Sequence, residues 1–164
     1  MAQPLALTLG EPAGIGPDIT LAAWRRRGEL ALAPFYLLAD PALMRRRAER
    51  IARDVPIAVV EPAAALETFK HALPVVDIGV TVTAEPGRPN DTSAPAAVAA
   101  IRRAVSDVGA GRARAIVTNP VAKSVLYRAG FSEPGHTEYL AKLAADMTGI
   151  SAHPVMMQIG RAHV

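Results

Sequence analysis

Short apolar runs of three to five residues recur along this chain, and most are followed by a stretch with helical spacing. Leu5–Leu9, Phe35–Ala39, Ile57–Val60 and Ala115–Val117 lack the apolar–polar alternation of a strand with one wet face. Strands of that kind fit a sheet covered on both sides. Helical patterns lie between them. Asp18–Arg27 ends at Gly28, with Ile19, Ala22, Ala23 and Trp24 expected on its inner side. Pro41–Arg53 turns Leu43, Met44, Ala48 and Ile51 inward, and Ala94–Val108 does the same with Val98, Ile101, Ala104 and Val105. Val121–Ala129 is a shorter helix closed by Gly130. Val75–Val82 reads as one more extended segment, kinked or broken at Gly79, and Asp91, Thr92 or Ser93 can cap the helix after the 85–91 loop. The alternation predicts an α/β fold, a three-layer α/β/α arrangement around a mostly parallel sheet. No repeat, linker or low-complexity segment divides it.

Composition narrows the function. Of 164 residues 51% are hydrophobic but only 4% aromatic, so the core must be built from Ala, Leu and Val. The net charge of +3 is concentrated in Arg25–Arg27 and Arg45–Arg47. Neither run has interleaved aromatics, which argues for solvated helix faces and against a nucleic-acid surface. There is no cysteine, which removes disulfides, thiolate catalysis and Cys-ligated metals from this chain. No basic leader precedes an apolar stretch, and no apolar run approaches membrane-spanning length. A soluble, cytoplasmic protein without a membrane partner is expected.

Three polar strings interrupt the apolar pattern. The first follows the opening strand: Gly10-Glu11-Pro12-Ala13-Gly14-Ile15-Gly16-Pro17-Asp18. Gly permits tight backbone approach, Pro17 suits a first helical turn behind Gly16, and Asp18 faces the positive helix start. Such a corner can hold a polar ligand, and it serves equally well as a purely structural bend. It is neither a dinucleotide fingerprint, since Ile19 stands where the third glycine belongs, nor a P-loop, since no Gly-Lys-Ser/Thr ends it. The second string, Thr118-Asn119-Pro120-Val121-Ala122-Lys123, lies at a strand outlet where ligands collect in parallel sheets. Thr118 offers a hydroxyl and Lys123 a point charge for phosphate or carboxylate; a turn threonine and an exposed lysine explain them more simply.

The third string, Gly135-His136-Thr137-Glu138, sits where a helix is expected to start, near Thr137. His136 and Thr137 can grip a phosphate or hydroxyl there, although Thr137 acting as a cap beside an outward His136 explains the pattern as well. His-Glu-x-x-His is absent because Leu140 occupies the last position. His71 and His153 read as surface and loop residues, and no two histidines have close metal-ligand spacing.

Together these strings, in this order and spacing, resemble the 4-hydroxythreonine-4-phosphate dehydrogenase family of pyridoxine biosynthesis. The likeness runs from about residue 4 to 158. It implies an isocitrate/isopropylmalate-dehydrogenase-like fold, a homodimer, and an active site in a cleft between two domains. It further implies NAD-dependent oxidation and decarboxylation of 4-phosphooxy-L-threonine to 3-amino-2-oxopropyl phosphate, on the way to pyridoxal phosphate. A divalent metal (Zn, Mg or Co) helps bind and polarise the substrate. The family's substrate-contacting pair falls on His136 and Thr137, with Lys123 matching a characteristic lysine. Gly10, Glu11, Gly14, Gly16 and Thr118 are expected close to the site.

Members commonly carry Gly where this chain has Asn119, and Asn-Gly where it has Ala94-Pro95. A paralogue acting on phosphorylated threonate or erythronate is therefore an alternative. A non-catalytic phosphate-binding or interaction module is another. The family is about twice this length, and its metal-binding histidines and most NAD-contacting loops belong to the remainder. Residues 1–158 are expected to be the N-terminal portion of a two-domain dehydrogenase, inactive alone and holding no metal. Val155-Met156-Met157 looks like the start of another strand. The closing Ile159-Gly160-Arg161-Ala162-His163-Val164 is the translation of ATC-GGA-AGA-GCA-CAC-GTC, a sequencing-adapter sequence. Residues 159–164 are accordingly expected to be a non-native tail.

Overall fold

The computed structural model describes residues 3–128, 135–151, 153–155 and 157, with Arg128 and His136 described by their backbone only. Residues up to 131 form one compact unit and residues from 132 a second.

In the first unit, five parallel strands make one sheet in the order β3-β4-β2-β1-β5. They are β1 (Leu5–Thr8), β2 (Phe35–Ala39), β3 (Ile57–Val59), β4 (Leu73–Asp77) and β5 (Ile116–Thr118). Register is continuous across the centre: Leu7 lies opposite Leu37 on one side and Val117 on the other. All five residues of β2 are buried, as an unalternating run in a doubly covered sheet should be. The α/β fold expected from the sequence is therefore present. Among the described residues this unit has five α-helices: α1 (Gly16–Arg25), α2 (Pro41–Ile51), α3 (Ala65–Thr68), α4 (Ser93–Gly109) and α5 (Lys123–Arg128).

Local chemistry explains several boundaries. Asp40 caps α2, its Oδ1 accepting the Ala42 N–H at 2.8 Å, and Pro41 sits at the first helical position. The other carboxylate oxygen accepts the Val82 N–H at 2.9 Å, so one side chain ties α2 to the loop after β4. Along α4, Ala96, Ala100 and Ala104 are buried, which lets the helix lie close on β1 and β2. This is the small-side-chain core that a low aromatic content implies.

Some expectations fail on facing. In α1 the buried positions are Gly16, Pro17, Thr20, Leu21 and Trp24, while Ile19 and Ala22 are exposed. The inner stripe is set by Trp24, whose Nε1–H reaches the Phe69 carbonyl at 3.1 Å. Ile51, at the end of α2, is also exposed. The extended segment expected over Val75–Val82 ends at Asp77, where the Asp77 carboxylate accepts the Gly79 N–H and the chain turns. The 121–129 helix begins only at Lys123.

The second unit's described element is α6 (His136–Thr148), which opens after Gly135 and closes at Gly149 in the left-handed conformation. Among the described residues, no helix is long and apolar enough to cross a membrane.

Candidate functional site

Parallel pairing of β1 with β5 places Thr8 opposite Thr118, so the first two polar strings leave the sheet side by side. Their backbones then lock. The Glu11 N–H donates to the Pro120 carbonyl at 2.8 Å. Gly10 has φ +73°, and a Cβ there would stand 2.5 Å from the Pro120 oxygen. A Cβ on Gly16 would meet the Leu9 carbonyl oxygen at 2.3 Å. These two glycines are therefore required by crowding.

Glu11 is turned inward and nearly buried, its Oε1 accepting the Ala13 N–H at 3.1 Å. Gly14 N–H returns to the Glu11 carbonyl at 2.9 Å. The loop is thus a closed turn whose own acid satisfies its backbone. Helix α1 begins at Gly16 with Ile15 as its cap residue, one position earlier than the sequence suggests, and Pro17 stands in its first turn.

Two side chains clamp this corner from opposite flanks, and neither stood out as a site residue in the sequence. Asn119 is buried; its Nδ2 donates to Thr20 Oγ1 at 2.9 Å and to the Gly16 carbonyl at 3.4 Å. Thr20 Oγ1–H passes the bond on to Gly16 O at 2.8 Å. Asn119 is therefore built into the packing between β5 and α1.

From α2, Arg47 is only 5% exposed. Its Nη1 donates to both Asp18 carboxylate oxygens at 2.9 and 3.1 Å, and its Nη2 to Pro12 O at 3.0 Å and Gly14 O at 3.4 Å. The reading of Arg45–Arg47 as a uniformly solvated face is corrected here. Position 47 lies three residues after Met44 and four after Leu43, on the buried face of the helix, and that spacing was the available signal. A buried guanidinium without acceptors would be prohibitive; this one has four.

Thr118 and Lys123 are both exposed, Lys123 as the first residue of α5. Beside the corner, Leu7, Ile19, Phe35 and Val117 line an apolar hollow of about 310 Å³, with Thr20 and Asn119 at its wall. That lining suits hydrocarbon better than phosphate. Thr8, at the end of β1, is 1% exposed, and its hydroxyl has no hydrogen-bond partner.

In the second unit, Thr137 is half-buried as the second residue of α6 and Glu138 is exposed. The helix cap is Gly135, without a side-chain cap bond, so capping by Thr137 does not account for that string. The His136 side chain lies outside the described residues. Among the described residues, no group of three His, Asp or Glu is placed to hold a metal ion.

Known proteins resemble the chain over nearly its whole length. A family model described as "Pyridoxal phosphate biosynthetic protein PdxA" matches residues 31–162. A 4-hydroxythreonine-4-phosphate dehydrogenase of Bradyrhizobium diazoefficiens is 60% identical, the match covering 95% of this chain and 47% of that protein. One from Methylorubrum populi is 52% identical, over 94% of this chain and 45% of its own length. The chain thus spans about half the length of the curated relatives it matches. Among solved structures, the 4-hydroxythreonine-4-phosphate dehydrogenase from Burkholderia phymatum superposes with a TM-score of 0.77 at 23% identity. That match covers 93% of this chain and 46% of the other. A putative enzyme of the same name from Salmonella typhimurium gives 0.69 at 28% identity, covering 90% and 46%.

Proposed function

The chain belongs to the PdxA family of pyridoxal phosphate biosynthetic proteins, and from that membership we propose that it forms the first half of an NAD-dependent dehydrogenase of 4-phosphooxy-L-threonine. In that reaction the substrate's secondary alcohol becomes a ketone as hydride passes to NAD and the hydroxyl proton is lost. The resulting β-keto acid then releases CO2, leaving 3-amino-2-oxopropyl phosphate.

The observation that supports this reading most is the Glu11–Pro120 hydrogen bond, which joins two of the three family strings at neighbouring strand ends. Ligands of parallel α/β sheets collect at such outlets. There the first turn of α1 presents N–H groups without intrahelical acceptors, and exposed Lys123 adds a cation for the phosphate or carboxylate. His136 and Thr137, in the second unit, are read as substrate contacts because the family resemblance implies it.

When bound, NAD would supply the hydride acceptor, and a divalent ion (Zn, Mg or Co) would supply polarisation of the substrate's oxygens. The described residues offer no donor cluster for such an ion. In this reading metal and NAD are held by the part of the relatives' length that this chain does not span. The intact enzyme is read as a cytoplasmic homodimer.

Asn119 favours a second reading. Its side chain occupies the corner where the resembling family commonly has glycine, which suits a paralogue for phosphorylated threonate or erythronate. NADH formation by the full-length gene product, given each substrate with NAD and a divalent metal, separates the two. Preference for 4-phosphooxy-L-threonine is the expected result. Preference for a phosphorylated sugar acid selects the paralogue, and no NAD reduction with any of them sinks both. His136→Ala is expected to lower kcat/KM roughly a hundredfold.

A further inference from the structure

We propose that Arg47 is the positioning residue of the Gly10–Asp18 corner, acting from α2 through the Pro12 and Gly14 carbonyls to aim the corner's amides and the Glu11 carboxylate. The inference rests on the dehydrogenase reading for its kinetic consequence but not for its structural one.

Peptide geometry carries the argument. In a trans peptide the C=O and the following N–H point in opposite directions, and the described chain contains no cis bond. Arg47 Nη2 takes the Pro12 oxygen at 3.0 Å, so the Ala13 N–H of the same peptide is turned away from α2. That N–H is the group that Glu11 Oε1 accepts at 3.1 Å. Guanidinium, peptide and carboxylate therefore form one polarised series, and fixing its first member orients its last. The Gly14 carbonyl, 3.4 Å from Nη2, directs the Ile15 N–H away from α2 in the same manner. Through Nη1 the same planar group also holds Asp18, in the first turn of α1. One rigid fork thus sets the spacing between the end of β1 and the start of α1.

A lysine cannot reproduce this. Its ammonium is a single point and lacks the planar fork that meets a carboxylate and two carbonyls together. Arg45, exposed two residues earlier on α2, makes none of these bonds and is the matched control.

The experiment compares Arg47→Met, Arg47→Lys and Arg45→Met in the full-length enzyme, with steady-state kinetics and amide hydrogen exchange on the same samples. Both Arg47 variants are expected to raise KM for the phosphorylated substrate roughly tenfold or more, a size typical of misplaced binding groups. Arg45→Met should leave it unchanged. Exchange should rise at residues 13–16 and stay as in wild type along β1, β2 and β4. Restoration of both readouts by Arg47→Lys would overturn the proposal. So would unchanged KM, or exchange raised uniformly across the sheet, which marks Arg47 as packing alone. Should the wild-type enzyme turn over none of the substrates, the functional reading falls, and the exchange pattern by itself decides the role of Arg47.

Discussion

Gly10 and Asn119 meet so closely that a Cβ on Gly10 would lie 2.8 Å from the Asn119 Cβ. The two residues are far apart in sequence and belong to different polar strings. Their contact exists because β1 and β5 pair in parallel with Thr8 opposite Thr118. The corner's shape is consequently a property of two strands and their outlets together.

Gly10→Ala should therefore cost more than its backbone angle alone. Gly87 provides the comparison, with φ +75° against +73° at Gly10 but nothing within 4 Å of its would-be Cβ. Alanine at 87 should cost about 1–2 kcal/mol, the strain of a left-handed non-glycine residue. At 10 the clash adds about 1–3 kcal/mol of overpacking. Urea unfolding of both variants checks the difference, and equal losses would mean the corner relaxes freely.

Asn119→Ala removes the donor to Thr20 and Gly16. Thr20 keeps Gly16 O as an acceptor, so the expected loss is about 1 kcal/mol, that of a typical net hydrogen bond. The midpoint of denaturant unfolding measures it. A gain in stability would show that the asparagine is retained at a cost.

Tyr36 should make stability fall at alkaline pH. Its hydroxyl is buried and donates to Asp107 Oδ2 at 2.7 Å, and burial first, then this bond, push its pKa well above the usual tyrosine value. A raised folded pKa stabilises fully below the unfolded value of about 10 and loses that contribution as pH climbs beyond it. Tyr36→Phe should flatten this alkaline decline. At neutral pH it should cost about 1.5–3 kcal/mol, the range for a bond to a charged acceptor, softened because Arg103 and Arg112 also hold Asp107. Thermal unfolding from pH 7 to 11 tests both parts.

Thr8→Val is expected to be neutral or to stabilise by up to about 1 kcal/mol, because the buried hydroxyl it removes has no partner. A loss above that, read by calorimetry, would show that Thr8 Oγ1 is satisfied in solution. A kinetic loss in the full-length enzyme without a stability loss would instead make Thr8 part of the substrate site.

Much of the fold was legible in short stretches of chain. Phe35–Ala39 reads as a buried strand because no polar residue alternates within it, and β2 is buried throughout. The helix read from Pro41 is found as α2, because a fixed φ and helical spacing act within a few residues, whereas the Asp40 cap became visible only in the structure. The candidate site was legible as strings, because tight glycines and helix starts are local demands. Arg47 was misread since three adjacent arginines resemble a solvated run, although its helical position already faced inward. Asn119 registered only as a departure from a family habit.

What the residues alone could decide was the kind of each element and where most of them begin, since caps, turns and periodicity act over a few positions. Which strands became neighbours, and so which strings share an outlet, depended on contacts across a hundred residues. Asn119 meeting Thr20, and Arg47 reaching the carbonyls of a loop thirty-odd positions earlier, arise only once the sheet is assembled. A buried polar group declares its purpose through its partners, and distant partners are brought together by packing.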